Sequence, residues 1–439
     1  MTRVLHAAAC VSALMLLSCG PGRPAAVDRP IVVIGIDSAD WTWIDERIAD
    51  GGMPHLRALL ERGVRADLAS LKPPQKSPTI WTTIATGKRP AKHGIADFIT
   101  HDRSVTGSGM RQAATYWEIL AASGRSQAVV GWWVTHPATP LRGVLVSDYL
   151  QYGAGNNAKI EGAVYPDAIW DRIAPLRVDP ERMPRERLAR FAKLDVAERI
   201  GEPAERMLSE LAWMYAADES YRCIARAIYE DAAARGEAFD VFTVYFRGLD
   251  MVSHRFWQTF QPGQGGVNAA DWQVEMLGGL IPAYLEYVDE LIGELLEYTD
   301  PEARVLICSD HGFHGNRRTR DGQASGVGMH DDDGILVAAG PGLRGGVVLD
   351  GVELEIDVRD ITPTLLALAG LPPAMDMDGE AISALFEDSY RSWVDALAVD
   401  AVSSYEGIVP PRPDGPGSSA NPELDAEALE KLRALGYIE

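Results

Sequence analysis

The chain is 439 residues long, 46% hydrophobic and 24% charged, with a formal net charge of −22. That length buries a full core, and the composition is that of a globular protein. The acidic balance argues against a nucleic-acid or anionic-membrane binder working through a basic surface, yet leaves room for an anionic substrate held locally by metal ions.

The first residues read as an export signal. Arg3 and His6 precede an apolar run, Ala7 to Leu17, too short to span a bilayer. The run ends in Leu16-Leu17-Ser18-Cys19-Gly20. A Cys just after the cut resembles the bacterial lipobox, in which that Cys is acylated and becomes the new N-terminus. An ordinary signal peptide cut nearby is the alternative. On the lipobox reading residues 1–18 are removed, Cys19 carries the lipid, and the chain faces the periplasm or cell exterior. Gly20 to Arg29 is then a Pro/Gly-rich tether. Cys10 leaves with the signal, and Cys223 and Cys308 imply no disulfide framework.

Ile31 to Ile36 is a continuous, mostly β-branched apolar run, as expected of a central strand covered on both faces. A helical pattern follows at Pro54 to Arg62. Further strands are predicted at Ala128 to Trp132, Val144 to Ser147, Val241 to Phe246, Val305 to Ser309 and Ile335 to Ala339. Helical patterns separate several of them: Tyr116 to Ala122, Ala204 to Ala234 and Gln273 to Tyr298. This alternation predicts one α/β domain over residues 30–398, an open and mostly parallel sheet with helices on both faces. Asn156 to Tyr215 reads as a partly helical insertion over one edge of the core. From residue 399 a Pro-rich linker leads to a short helix, Asp425 to Leu435.

Acids and histidines fall at strand ends. Asp37 follows Ile31–Ile36 directly, and Asp310 and His311 follow Val305–Ser309. Asp250 comes just after Val241–Phe246, with His254 at i+4 on the same helical face. His330 stands in a Gly-rich loop before Ile335–Ala339. Open α/β sheets bind ligands outside the carboxyl ends of their strands. Singly, such an Asp is often a cap or turn former and such a pair a surface contact. Jointly, three Asp and three His suit Zn²⁺, or Mn²⁺ as second choice, with positions left for water and substrate. His93 reads as structural.

With these residues in hand, the chain resembles the alkaline phosphatase superfamily, and within it the type I phosphodiesterase/nucleotide pyrophosphatase branch and its bacterial relatives. The matching stretches are VVIGIDSAD (32–40), SPTIWTTIATGKRPAKHGI (77–95), YFRGLDMVSHRFW (245–257), CSDHGF (308–313), GVGMHDDDGILVAAGPG (326–342) and DVRDITPTLLALAGLP (357–372). They occur in the family's order. The resemblance implies an alkaline-phosphatase-like three-layer sandwich and a two-metal phosphohydrolase acting on phosphate mono- or diesters. By position, Asp37, Asp310 and His311 would hold one metal together with the nucleophile, and Asp250, His254 and His330 the other. The nucleophile falls on Ser77, ten residues before the Gly of the Thr86-Gly87 pair.

Ser77 before Pro78 also reads as a helix N-cap with Pro at N1, leaving Thr79 as the first free backbone donor for a phosphate. Thr82, Thr83 and Thr86 read as packing residues. The chain departs from the branch in having Ile80 where the pyrophosphatases carry an Asn that binds a phosphoryl oxygen. That weakens a nucleotide-diester reading and leaves Lys88, Arg247 and Arg255 as candidates to clamp phosphate. Ser77 to Trp81 does not fit the sulfatase pattern. Two alternatives stay open: a phosphomutase or phosphotransferase of the same superfamily, and a lipid-anchored binding protein without turnover. The expected partners are a small phosphorylated substrate and a membrane reached only through the lipid. The oligomeric state is unassigned.

Overall fold

The computed structural model describes residues 22–101, 103–153, 159–263, 268–314, 329–330, 333–349, 355–410, 422–434 and 437–438. The expected signal and Cys19 lie outside them. Eleven strands are present among the described residues: β1 Ile31–Ile36, β2 Gly63–Ala69, β3 Gln127–Val130, β4 Gly143–Val146, β5 Val164–Tyr165, β6 Val241–Phe246, β7 Arg304–Cys308, β8 Phe313–His314, β9 Met329–His330, β10 Asp333–Ala339 and β11 Val347–Leu349. Nine form one sheet in the order β11-β2-β10-β7-β1-β6-β3-β4-β5, and β8 pairs with β9 alone. Strands β7, β1, β6, β3 and β4 run parallel. Strand β10 is antiparallel to both of its neighbours, β7 and β2.

Every residue of β1, β6 and β7 is buried. Side chains alternate between the two faces of a strand, so each must meet an apolar layer. Val32, Ile34 and Ile36 face a core built from the helices Glu202–Ala234, Gly248–Phe260 and Leu280–Tyr298. Ile31 and Val33 face the other core, with the helices Ser77–Thr86, Tyr116–Ala122 and Ile361–Leu368. The result is a three-layer α/β/α sandwich. Among the described residues no helix is long and apolar enough to cross a membrane.

The expected strands and helices lie near their observed limits; β5, β8, β9 and β11 and the helices Trp41–Ala49, Ile361–Leu368 and Asp388–Val399 lie outside the expected set, and three further differences bear on the reading. The stretch from Gln273 to Tyr298 is two helices, Asp271–Leu277 and Leu280–Tyr298, broken at Gly278-Gly279, where the entropic cost of ordering glycine is highest. The boundary expected at Tyr215 falls inside the Glu202–Ala234 helix, which starts at Gly201 with φ of +82°. The short turns and helices before Gly201 pack along that helix. Strand β2 is absent from the expected set. Its Val64, Ala66 and Leu68 are buried while Asp67 is exposed, an alternation carried partly by Ala and Asp, weak strand formers. Cys223 and Cys308 are both free thiols.

Gly35 in β1 lets the Ser77–Thr86 helix approach the sheet. A Cβ there would lie 2.9 Å from the Trp81 ring and 3.0 Å from the Tyr245 ring. The expected result for Gly35→Ala is a loss of ~1–3 kcal/mol, read as a lower urea midpoint. An unchanged midpoint would mean that Trp81 repacks at no cost.

Candidate metal and phosphoryl-transfer site

Strands β1, β6 and β7 are neighbours and end at one edge. β2 runs in the same direction and delivers the chain to Ser77 at that edge. β10 runs the other way, so it starts there, and the β9 backbone at His330 pairs with Phe313 in β8. Continuing the two-residue alternation of β1 and β7 carries Asp37 and Asp310 to the face covered by the Ser77–Thr86 helix. Helix Gly248–Phe260, on the opposite face, presents Asp250 and His254.

The loops are stitched together. Ser309 Oγ accepts from the Ala39 N–H at 2.9 Å and donates to the His311 carbonyl at 2.8 Å. Asp40 caps the next helix and accepts from the Phe313 N–H at 3.2 Å. Between them Ser38 adopts a left-handed φ of +64°, a conformation that non-glycine residues hold only under constraint. Its Oγ lies 2.5 Å from Asp250 Oδ1, to which it donates, and 3.3 Å from His311 Nδ1. Ser38 thus joins the two groups of residues. It lies inside the VVIGIDSAD stretch, but the backbone strain that aims it has no sequence signal.

His311 Nε2 lies 3.2 Å from Asp310 Oδ2 and 3.4 Å from Asp37 Oδ1. All three side chains are buried, with one donor atom from each lying within 4.8 Å of the others. Asp37 Oδ2 accepts from the Tyr245 hydroxyl and from Trp81 Nε1 at 3.3 Å, while Tyr245 accepts from Trp133 Nε1 at 2.6 Å. No N–H group and no hydroxyl donates to Asp37 Oδ1 or to either Asp310 oxygen among the described residues, so only a proton shared between the two carboxyls can join them. Burial, and next the Asp250 charge, push the Asp37 carboxyl up to about 7. Burial and the charge of Asp37 push Asp310 well above the ordinary range. Unpartnered carboxylate oxygens in a dry pocket are costly unless a cation meets them. Two carboxylates and an imidazole are a donor set that fits Zn²⁺.

Ser77 is the first residue of its helix, not the cap. Lys76 is the cap, and its carbonyl accepts from the N–H groups of Thr79 (2.9 Å) and Ile80 (3.1 Å). Thr79 therefore offers no free donor to phosphate, contrary to expectation. The Ser77 hydroxyl, released from capping, is buried and makes no hydrogen bond among the described residues. It stands one turn before Trp81, on the face that touches Asp37. Thr82, Thr83 and Thr86 bond back to carbonyls of their own helix. His93 holds Thr83 Oγ1 at 3.0 Å and accepts from the Ile95 N–H at 3.1 Å.

His254 Nε2 lies 3.3 Å from Asp250 Oδ1. The other Asp250 oxygen accepts from the hydroxyl of Tyr437. Tyr437 follows the Pro422–Ala434 helix, and its N–H donates back to the Leu432 carbonyl at 3.0 Å. Nothing in the sequence pattern marks Tyr437 as part of the site.

Two of the three expected phosphate clamps lie elsewhere. Lys88 follows the far end of the Ser77–Thr86 helix, about 15 Å away at ~1.5 Å per residue. Its ammonium pairs with Asp376 at 2.8 Å and Glu406 at 3.0 Å, so it anchors the C-terminal segment instead. Arg255 donates to Glu210 at 2.6 Å on the Glu202–Ala234 helix. Arg247 is buried beside the site, 4.0 Å above the Trp133 ring, with Nε unpartnered among the described residues.

Residues 31–352 match the family model "Type I phosphodiesterase / nucleotide pyrophosphatase". The chain belongs to that family. It is therefore a phosphoric ester hydrolase of the alkaline phosphatase superfamily. No curated protein matches it. Among solved structures it is similar to human ectonucleotide pyrophosphatase/phosphodiesterase 5 (12% identity, 80% of this chain and 97% of that one, TM-score 0.46). It is also similar to an inactive variant of the murine protein in complex with AMP (12%, 78% and 95%, TM-score 0.44). A third is BT4656 in complex with D-glucosamine-2-N,6-O-disulfate (16%, 82% and 81%, TM-score 0.43).

The raised carboxyls have a consequence for this phosphodiesterase-family chain when metal is stripped. Between the ordinary value of 3.8 and about 7, the folded state keeps a proton on Asp37 that the unfolded state has released. The contribution of Asp37 to stability therefore falls as pH rises through that window, against the opposite trend of His93 and His136, which burial lowers to about 3 and about 4. The chelated protein should melt at a lower temperature at about pH 8 than at about pH 5, and Zn²⁺ should reverse the loss at the higher pH. Equal melting temperatures in chelator would contradict a strained carboxylate pocket.

Proposed function

We propose that the chain is an exported, metal-dependent phosphohydrolase that cleaves phosphate mono- or diesters through a phosphoseryl intermediate on Ser77. The observation that carries this reading is the buried, unpartnered Ser77 hydroxyl, one helical turn from the side chain that touches Asp37. Asp37, Asp310, His311 and Ser77 would hold one divalent ion, and Asp250, His254 and His330 a second, with Zn²⁺ favoured over Mn²⁺. Metal bound there supplies Lewis acidity, lowering the pKa of a hydroxyl and offsetting charge on phosphoryl oxygens.

Ser77 Oγ gives up its proton and attacks phosphorus in line, and the ester P–O bond breaks so that the alcohol leaves from the opposite side with a proton. Water then attacks the phosphoseryl group, the P–Oγ bond breaks, phosphate (or, from a diester, the monoester) is released, and Ser77 regains its proton. Tyr245 and Trp81 hold Asp37 Oδ2, which leaves Oδ1 as the oxygen that would hold a cation. Arg247 is the buried cation best placed to balance equatorial charge on the phosphoryl group. Ile80, buried in the apolar core, offers no side-chain donor there, which supports a simple phosphoester over a nucleotide diester.

Ser77→Ala is expected to lower turnover of bis(p-nitrophenyl) phosphate or p-nitrophenyl phosphate by more than ~10³-fold, measured at saturating Zn²⁺ so that a weakened metal site does not mimic the loss. Acid-quenched wild type should carry a phosphoryl group on the Ser77 peptide. Retained turnover in Ser77→Ala would remove Ser77 from the chemistry. Export and anchoring rest on the sequence around Cys19. Cys19→Ser should abolish incorporation of labelled fatty acid, and retained label would refute the anchor.

A further inference from the structure

The C-terminal segment supplies none of the groups proposed above for the chemistry, yet it reaches their centre. The Pro422–Ala434 helix is docked, with Leu424, Ala428 and Leu432 buried. Asp425 accepts from the Tyr149 hydroxyl at 2.9 Å, and Glu427 from the Gly153 N–H at 3.0 Å. Beyond it Tyr437 turns inward. Its ring stacks on Phe98 (4.7 Å, 17°) and meets the His254 imidazole edge-on (5.0 Å, 87°). Its hydroxyl donates to Asp250 Oδ2. Its carbonyl accepts from Lys76 Nζ at 2.9 Å, and Lys76 immediately precedes Ser77. One residue thus ties the neighbour of the nucleophile to both members of the Asp250/His254 pair.

We infer that Tyr437 is a positioning residue that holds Asp250 and His254 in the geometry needed for the second metal. This rests on the two-metal reading above. A carboxylate that binds metal through one oxygen swings about its own axis unless the other oxygen is held. A ligating imidazole likewise needs its ring plane fixed. Donors and packing groups behind metal ligands supply that restraint, and losing one costs ~10–100-fold in metal affinity or activity. Here Oδ1 of Asp250 faces His254 and Ser38, and Oδ2 faces the Tyr437 hydroxyl. The ring contact constrains the imidazole. The docked helix makes the tail a fixed wall of the site, since its apolar face is already part of the two cores.

The test compares full-length wild type, Tyr437→Phe and Tyr437→Ala by Zn²⁺ titration calorimetry, starting from chelated protein. Tyr437→Phe keeps the ring and loses only the donor. It should weaken one of two Zn²⁺ equilibria by ~10-fold or more, leave the other unchanged, and keep the wild-type circular dichroism spectrum in chelator. Tyr437→Ala should weaken the same equilibrium further. Unchanged Zn²⁺ affinities in both variants would overturn the inference, as would a wild type that takes only one Zn²⁺. Faster ester turnover in Tyr437→Ala at unchanged affinity would also overturn it, marking the tail as a block rather than a support. Failure of the hydrolase reading looks different: wild type would bind two Zn²⁺ and turn over no ester, with the effect of Tyr437→Phe on affinity still measurable.

Discussion

Two carboxylates in a dry pocket set the terms for this structure. Asp37 and Asp310 sit at the ends of neighbouring strands, share one imidazole, and leave three oxygens without a donor among the described residues. Such a pocket is unfavourable when its groups are charged and lack a counter-ion. The fold holds it together only because the surrounding layers are rigid. The parallel β6-β1-β7 register fixes where each loop begins, and a strand buried on both faces cannot slip by one residue without turning its apolar set to the wrong side.

The loops themselves add little apolar burial and depend on polar stitches. Ser309 is satisfied twice within them, and Asp40 links the start of one helix to the Phe313 backbone. Ser38 absorbs the strain of the turn, and its hydroxyl ties Asp250 to the His311 loop. Strain at a site is tolerated where the surroundings over-determine it. Here the two strands do so from within the sheet and the Gly248–Phe260 helix from one of its faces.

The central strands are legible in the sequence because their chemistry is unambiguous. Long β-branched runs such as Ile31–Ile36 have no competing reading, and acids directly after them stand at the binding edge by topology alone. β2 escapes because its alternation rests on small residues, and the Gly278-Gly279 break because the periodicity resumes on the same face beyond it. Lys88 and Arg255 mislead for one reason: sequence shows that a cation is near a motif but not which way the local backbone turns it or which carboxylate it meets first. Tyr437 is invisible for the opposite reason. It lies 187 positions from Asp250, in a tail whose composition resembles a linker, and only tertiary packing brings the two together.

The net charge of −22 looks hostile to an anionic substrate, but distance decides its effect. At physiological salt, surface charges more than a Debye length of about 8 Å away are largely screened. A phosphoryl group at the sheet edge would feel mainly the buried groups around it. Those include three aspartates, which repel it once ionised, and Arg247, which lies above the Trp133 ring where screening is weak. Burial keeps protons on Asp37 and Asp310 in the absence of a cation, and once they ionise one guanidinium cannot outweigh three carboxylates. Divalent cations at the Asp37/Asp310/His311 cluster would invert that balance, because each brings two charges to the point where the negative ones converge. The acidity that makes the pocket costly without metal is thus the same property that would make it a phosphate site with metal.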